Sequence, residues 1–156
     1  MNYFSANPLY QVAEVQLIYR NETLPENRIQ VNSAETAYQV LKHNWDMNRI
    51  ELVEQFKILL LDHGNNCLGI SEISTGSMKA CPVDLKIVLA TALKAKASKL
   101  IPAHNHPSGS LKPSDADIQL TDRLVEAGRI VDIAVVDHLI LTAHSYYSFA
   151  DNGLMP

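Results

Sequence analysis

The chain has 156 residues, 47 % of them hydrophobic and 19 % charged. That fits one domain with a substantial core and excludes wholesale disorder. A formal net charge of -4 argues against a dedicated nucleic-acid binder, because phosphate affinity comes mostly from clustered Lys and Arg.

Residues 11–19 alternate, with Ala13, Val15, Leu17 and Tyr19 apolar against Glu14 and Gln16. This period of two predicts a half-buried strand. Residues 21–28 are polar and contain Pro25, which reads as a loop or hairpin end. A helix follows: Asn32 and Glu35 have capping-box spacing, Ala34, Ala37, Val40 and Leu41 recur at helical intervals, and Lys42 and His43 suit its negative end. Residues 54–61 predict a strand that becomes buried on both faces. Residues 62–66 carry turn chemistry, and residues 67–73 supply a second strand, so the two form a hairpin. Residues 74–77 read as a loop. Pro82 and Asp84 suit the first turn of a second helix with an apolar stripe of Val83, Ile87, Val88, Thr91 and Ala92. The nearby Lys86, Lys94, Lys96 and Lys99 read as a solvated face.

Residues 99–103 predict a short strand running straight into His104. Residues 113–127 predict a helix with Ile118, Thr121, Leu124 and Val125 facing inward and Gly128 as its stop. Strands are expected over 130–136 and 138–142, and Tyr146, Tyr147 and Phe149 close the end of the core. Alternating strands and helices give an α/β or mixed α+β fold with helices packed on a central sheet. No repeat, low-complexity tract or linker divides residues 1–156, so one domain is expected. Cys67 and Cys81 form no C-x-x-C pair, which gives neither a structural zinc site nor a redox motif. No run approaches the roughly 20 apolar residues of a membrane helix, and no basic-then-apolar leader opens the chain. A cytoplasmic protein with two reduced thiols is the expectation. Oligomeric state is not legible.

The most informative stretch is His104-Asn105-His106-Pro107-Ser108-Gly109-Ser110-Leu111-Lys112-Pro113-Ser114-Asp115-Ala116-Asp117. Residues i and i+2 of an extended segment point to one side, so His104 and His106 can aim two ring nitrogens at one point. Pro107 and Gly109 turn the chain back, and Asp117 lies one turn into the next helix. Two imidazoles and a carboxylate with an open fourth position suit a catalytic zinc. Ser114 and Asp117 also have the spacing of a helix capping box. Asp115 is a rival third ligand pointing elsewhere on the helix. His138 reads as a structural or supporting histidine, and His43 and His63 as surface residues.

This segment resembles the JAMM motif of MPN-type metalloproteases, H-x-H-x(7)-S-x-x-D. More closely, His104 to Gly109, the Pro113-Ser114-x-x-Asp117 helix start and Asp137-His138 resemble the bacterial RadC family over about residues 33–150. The resemblance implies a central mixed β-sheet flanked by helices, a three-layer sandwich like that of MPN and cytidine-deaminase folds. It implies one Zn²⁺ held by His104, His106 and Asp117, activating water for hydrolysis. It implies Glu54, at the head of the strand before the hairpin, as general base. Glu51 and Glu72 are alternatives that spacing does not separate from it. It implies Ser114 as hydrogen-bond donor to the oxyanion. It implies hydrolysis of a peptide, isopeptide or related amide bond in a peptide or protein-derived substrate. Ser74, Thr75 and Gly76 are candidates to wall the cleft. The alternatives are a catalytically silent MPN-like interaction module and a DNA-repair accessory protein, the latter through the family name alone. Many family members carry an N-terminal helix–hairpin–helix segment, whereas residues 1–30 read here as strand and loop. A zinc nucleobase deaminase needs H-x-E and P-C-x-x-C, and Cys81-Pro82 does not match. His104-Asn105-His106 is not the HNH nuclease motif, whose residues are far apart in sequence.

Overall fold

A computed structural model describes residues 12–77 and 81–156 of the chain. A short 3-10 turn, Pro25–Asn27, precedes helix α1, Ala34–His43. Strands β1, Gln55–Leu61, and β2, Cys67–Thr75, form the expected hairpin. Helix α2, Leu85–Lys94, leads to β3, Lys99–Asn105. Helix α3, Asp115–Ile130, is followed by the short strands β4, Ala134–Val135, β5, Leu139–Leu141, and β6, Tyr146–Ser148. The sheet order is β2-β1-β3-β5-β6, with β4 pairing the start of β3. Pairing is antiparallel between β1 and β2, β1 and β3, and β5 and β6; β4 and β5 run parallel to β3.

All seven residues of β1 are buried, because helices cover both faces of the sheet. Leu59 and Leu61 pack with Ala37, Leu41, Ile101 and Leu139 on the α1 side. Phe56, Ile58 and Leu60 pack with Val88, Ala92 and Leu124 on the α2 and α3 side. Alternation along β1 therefore serves two cores at once, and the layers run α1, sheet, then α2 with α3. The mixed α/β fold class expected from the sequence is the one observed.

Several local expectations change. Residues 12–19 of the expected first strand form no strand among the described residues, and Val12, Val15 and Leu17 are 80 %, 94 % and 82 % exposed. Gln11 lies outside the described residues. Alternation reports that a segment suits a pleated surface; it does not supply the partner that makes a strand. Ser33, not Asn32, caps α1, its side chain accepting from Thr36 N, while Asn32 Oδ1 accepts from Asn65 Nδ2. Asp84 caps α2 by accepting from Lys86 N, so Pro82 lies outside that helix. Ile87 is 49 % exposed, and the buried stripe narrows to Val88 and Ala92. Helix α3 runs through Gly128 to Ile130, so Gly128 is a buried contact point and not a stop. The expected 130–136 strand shrinks to Ala134–Val135 for the same reason. The fold places three ends together: the head of β1, the tail of β3 and the first turn of α3.

Candidate metal centre

His104 and the head of β1 are held in register, Phe56 pairing with His104. His104 lies on the same face of β3 as Leu100, the α3 side, and is 2 % exposed. His106 is the first residue beyond the strand, yet its N–H still bonds Leu141 O at 3.0 Å. That extra bond keeps the two histidines in i, i+2 alignment. The chain then turns back: Gly109 N bonds His106 O at 3.0 Å, and Gly109 adopts φ +79°, a conformation glycine takes without steric cost. His106 Nδ1 lies 2.8 Å from Ser110 O. A carbonyl can only accept, so Nδ1 carries the proton and Nε2 is the free nitrogen.

Asp117 arrives from the first turn of α3. A true capping box holds it there: Ser114 Oγ accepts from Asp117 N at 3.1 Å, and Asp117 Oδ2 accepts from Ser114 N at 2.7 Å. Capping and ligation, rivals in the sequence, are compatible in the fold. Oδ1 of the same carboxylate lies 3.2 Å from His104 Nε2, and Oδ2 lies 3.5 Å from His106 Nε2. The two Nε2 atoms are 3.0 Å apart. Metal–ligand bonds near 2.0 Å in a tetrahedron put neighbouring donors about 3.3 Å apart. The three separations bracket that value, so His104, His106 and Asp117 form a group that could hold a metal ion. Asp115, the rival ligand, is exposed and does not line the cleft.

The local electrostatics match. Burial raises the Asp117 carboxyl, but the two ring nitrogens beside it and the hydrogen bond from Ser114 N outweigh it and hold the group well below the usual carboxylate range. The carboxylate in turn raises His106 against its own partial burial. These donors are poised to share a positive charge.

Glu54, immediately before β1, lines the same cleft of about 530 Å³ as His104, His106, Ser114 and Asp117. Burial raises its carboxyl; the charges of the two histidines oppose that shift. Glu51 is exposed and does not line the cleft. Glu72 is engaged elsewhere, accepting from Thr75 Oγ1 at 2.7 Å and from Gln55 Nε2 at 3.1 Å. Phe56, Val83 and Leu120 give the cleft an apolar wall, and Lys112 and Arg123 reach its edge. Ser74, Thr75 and Gly76 do not line it, although Ser74 Oγ lies 3.0 Å from Cys81 Sγ, which does.

Sequence reasoning passed over Asn105. It is wholly buried and faces away from the two histidines. Its Oδ1 accepts from Gln55 N at 2.8 Å, and its Nδ2 donates to Ile50 O at 2.7 Å and Val53 O at 2.9 Å. Asn105 thereby straps the segment that carries Glu54 to the strand that carries the histidines. The available signal was its place at i+1 of a buried i, i+2 pair, which sends an amide into the opposite core where it must find partners. His43, His63 and His144 are exposed, in line with surface roles for the first two.

The model of the RadC-like JAB domain matches residues 31–154. A UPF0758 protein of Flavobacterium johnsoniae is 42 % identical over 101 residues, 65 % of this chain and 44 % of that protein. UPF0758 protein YkfG of Escherichia coli is 43 % identical over 102 residues, 65 % of each chain. A UPF0758 protein of Symbiobacterium thermophilum is 41 % identical over 103 residues, 66 % of this chain and 44 % of that protein. The match thus spans less than half the length of two of these relatives. No helix among the described residues is long and apolar enough to cross a membrane. The domain match over most of the chain, with the His-x-His and Asp group at its centre, places this protein in the RadC-like JAB domain family.

Proposed function

We propose that the protein is a zinc-dependent hydrolase that cleaves a peptide, isopeptide or related amide bond. The observation that carries this reading is the meeting of His104, His106 and Asp117 beside Glu54 and Ser114 in one cleft. His104 and His106 would bind through Nε2, and Asp117 through its carboxylate. Zinc fits two imidazoles and one carboxylate, and when bound it supplies Lewis acidity that brings a coordinated water towards a pKa of about 7.

The chain's own groups do the rest. Glu54 accepts the proton of the attacking water and delivers it to the departing nitrogen. A half-buried carboxyl with raised proton affinity suits both transfers. Ser114 Oγ accepts from Asp117 N, which leaves its own O–H available to donate to the carbonyl oxygen as charge develops there. The apolar wall of Phe56, Val83 and Leu120 shields this end of the cleft from water. A peptide or protein-derived segment is the proposed substrate.

Elemental analysis of the purified chain is expected to give about one zinc per chain. Glu54→Gln is expected to retain that zinc and lose about 10²–10⁴-fold in turnover of any amide substrate found by library screening. Full turnover in that variant rejects Glu54 as the base. Zinc retention with no amide cleaved by the wild type favours an interaction module instead.

A further inference from the structure

Behind His104, on the side away from the cleft, lies a buried chain of hydrogen bonds. His138 has no exposed surface. Its Nε2 lies 2.9 Å from His104 Nδ1, and its Nδ1 lies 2.6 Å from Thr121 Oγ1. Thr121, also fully buried, donates to Asp117 O at 2.7 Å. The ring of His138 stacks on Phe149, with centroids 4.7 Å apart, and meets the edge of Phe56 at 6.0 Å. Its backbone is fixed too: Asp137 Oδ1 accepts from His138 N and Ala150 N, while Ser148 Oγ donates to Asp137 Oδ2. This cluster occupies the gap between β4 and β5, where β3 loses its parallel neighbour over Ile101 and Pro102.

Proton order along the chain follows from one fact. A backbone carbonyl carries no proton, so the Thr121 hydroxyl proton points at Asp117 O. Thr121 Oγ1 is then the acceptor for His138, whose Nδ1 must carry a proton. Among the described residues no carboxylate bonds the His138 ring, whose only hydrogen-bond partners are Thr121 and His104, and a ring with no exposed surface and no counter-charge is held neutral. A neutral ring has one N–H, so His138 Nε2 presents a lone pair. His104 Nδ1–H donates to it, so the one nitrogen of His104 that can offer a lone pair is Nε2. That is the atom facing His106 and Asp117.

We propose that Thr121 and His138 are positioning residues that fix the tautomer of His104, so that its Nε2 lone pair is presented to the metal ion. The inference rests on the metal reading of the site, and it ties both ends of the site together, because the chain starts and finishes on metal-binding residues. Supporting hydrogen bonds of this kind are generally worth about 10–100-fold in metal affinity.

Thr121→Val keeps shape and volume but removes the acceptor. His138 is then free to place its proton on Nε2, which pushes the His104 proton onto the metal-facing nitrogen. Zinc affinity, measured by competition with a chromogenic chelator, is expected to fall about 10–100-fold in Thr121→Val. Thr121→Ser, which restores the hydroxyl, is expected to return to within about 3-fold of the wild type. Mere packing by Thr121 predicts the reverse order, since Val preserves packing and Ser does not. Equal affinity in wild type and Thr121→Val overturns the proposal. A second measurement needs no variant and no metal: long-range ¹H–¹⁵N spectra of the metal-free wild type are expected to show Nδ1–H tautomers for both His104 and His138. An Nε2–H tautomer at His138 overturns the proposal. Both expected tautomers in a chain that takes up no zinc overturn the metal centre and leave the proton order standing.

Discussion

At the scale of single residues, the side chain between the two histidines illustrates how a site is held from behind. Asn105 is satisfied as both donor and acceptor, and an amide is the one common side chain of that size with both functions. Asn105→Asp keeps the shape and the bond from Gln55 N. As a neutral acid it has one proton for two carbonyls, and as an anion it has none. Each buried acceptor left unpaired costs about 1–3 kcal/mol. The acid's folded-state pKa is raised by burial against those carbonyls, so its penalty is smallest below the ordinary aspartate range and deepens as pH rises through the raised value. Urea unfolding of Asn105→Asp is therefore expected to show a loss of about 1–3 kcal/mol near pH 4 and a larger one at pH 8. Stability equal to the wild type at both pH values would remove Asn105 from its strapping role.

At the scale of elements, α3 combines the tasks that the site requires. Ser114 caps it, Asp117 sits in its first turn, Thr121 lies one turn on, and Leu124, Val125 and Gly128 continue the buried face. Gly128 is where the helix touches the chain that follows: a Cβ there would collide with the Ile133 carbonyl oxygen, and Ile133 N bonds Gly128 O at 2.9 Å. In a helix interior, alanine is favoured over glycine by about 1 kcal/mol. The obstacle is backbone and no rotamer relieves it, so overpacking at about 1–3 kcal/mol wins. Gly128→Ala is expected to lower the thermal midpoint, and a raised midpoint would show that the 131–133 turn yields. The helix itself was legible from its apolar spacing, and Ser114-x-x-Asp117 announced its start. Its end was not, because glycine marks both a left-handed stop and a close approach, and only the neighbour at Ile133 distinguishes them. The strand expected over 11–19 does not form over 12–19 for a related reason: a period of two says nothing about which edge is available. Ile87 was misplaced because α2 buries a narrower stripe than its composition offers.

At the scale of the whole molecule, the sheet makes the site by antiparallel pairing. Running β1 against β3 brings the head of one to the tail of the other, so Glu54 and His104 meet although fifty residues of sequence separate them. The His-x-His and Asp group was legible because all its members lie within fourteen residues. Glu54 was legible through resemblance to a family, and the supports Asn105 and Thr121 were not, because their partners lie 17 to 55 residues away. The proposed metal also joins β3 to α3, two elements that the unfolded chain does not hold together, so its binding is linked to stability. An ion that binds only the folded chain stabilises it by about 2.7 kcal/mol at a free concentration 100 times its Kd. For a chain of 156 residues, each kcal/mol moves Tm by about 2–4 °C. Zinc at that excess is thus expected to raise Tm by roughly 5–10 °C over the chelated protein. His106→Ala is the informative control, because His106 is partly exposed and outside both apolar cores. Its metal-free Tm is expected to stay near that of the wild type, while most of the zinc-induced rise disappears. A full rise in His106→Ala places the stabilising ion somewhere other than at His104, His106 and Asp117.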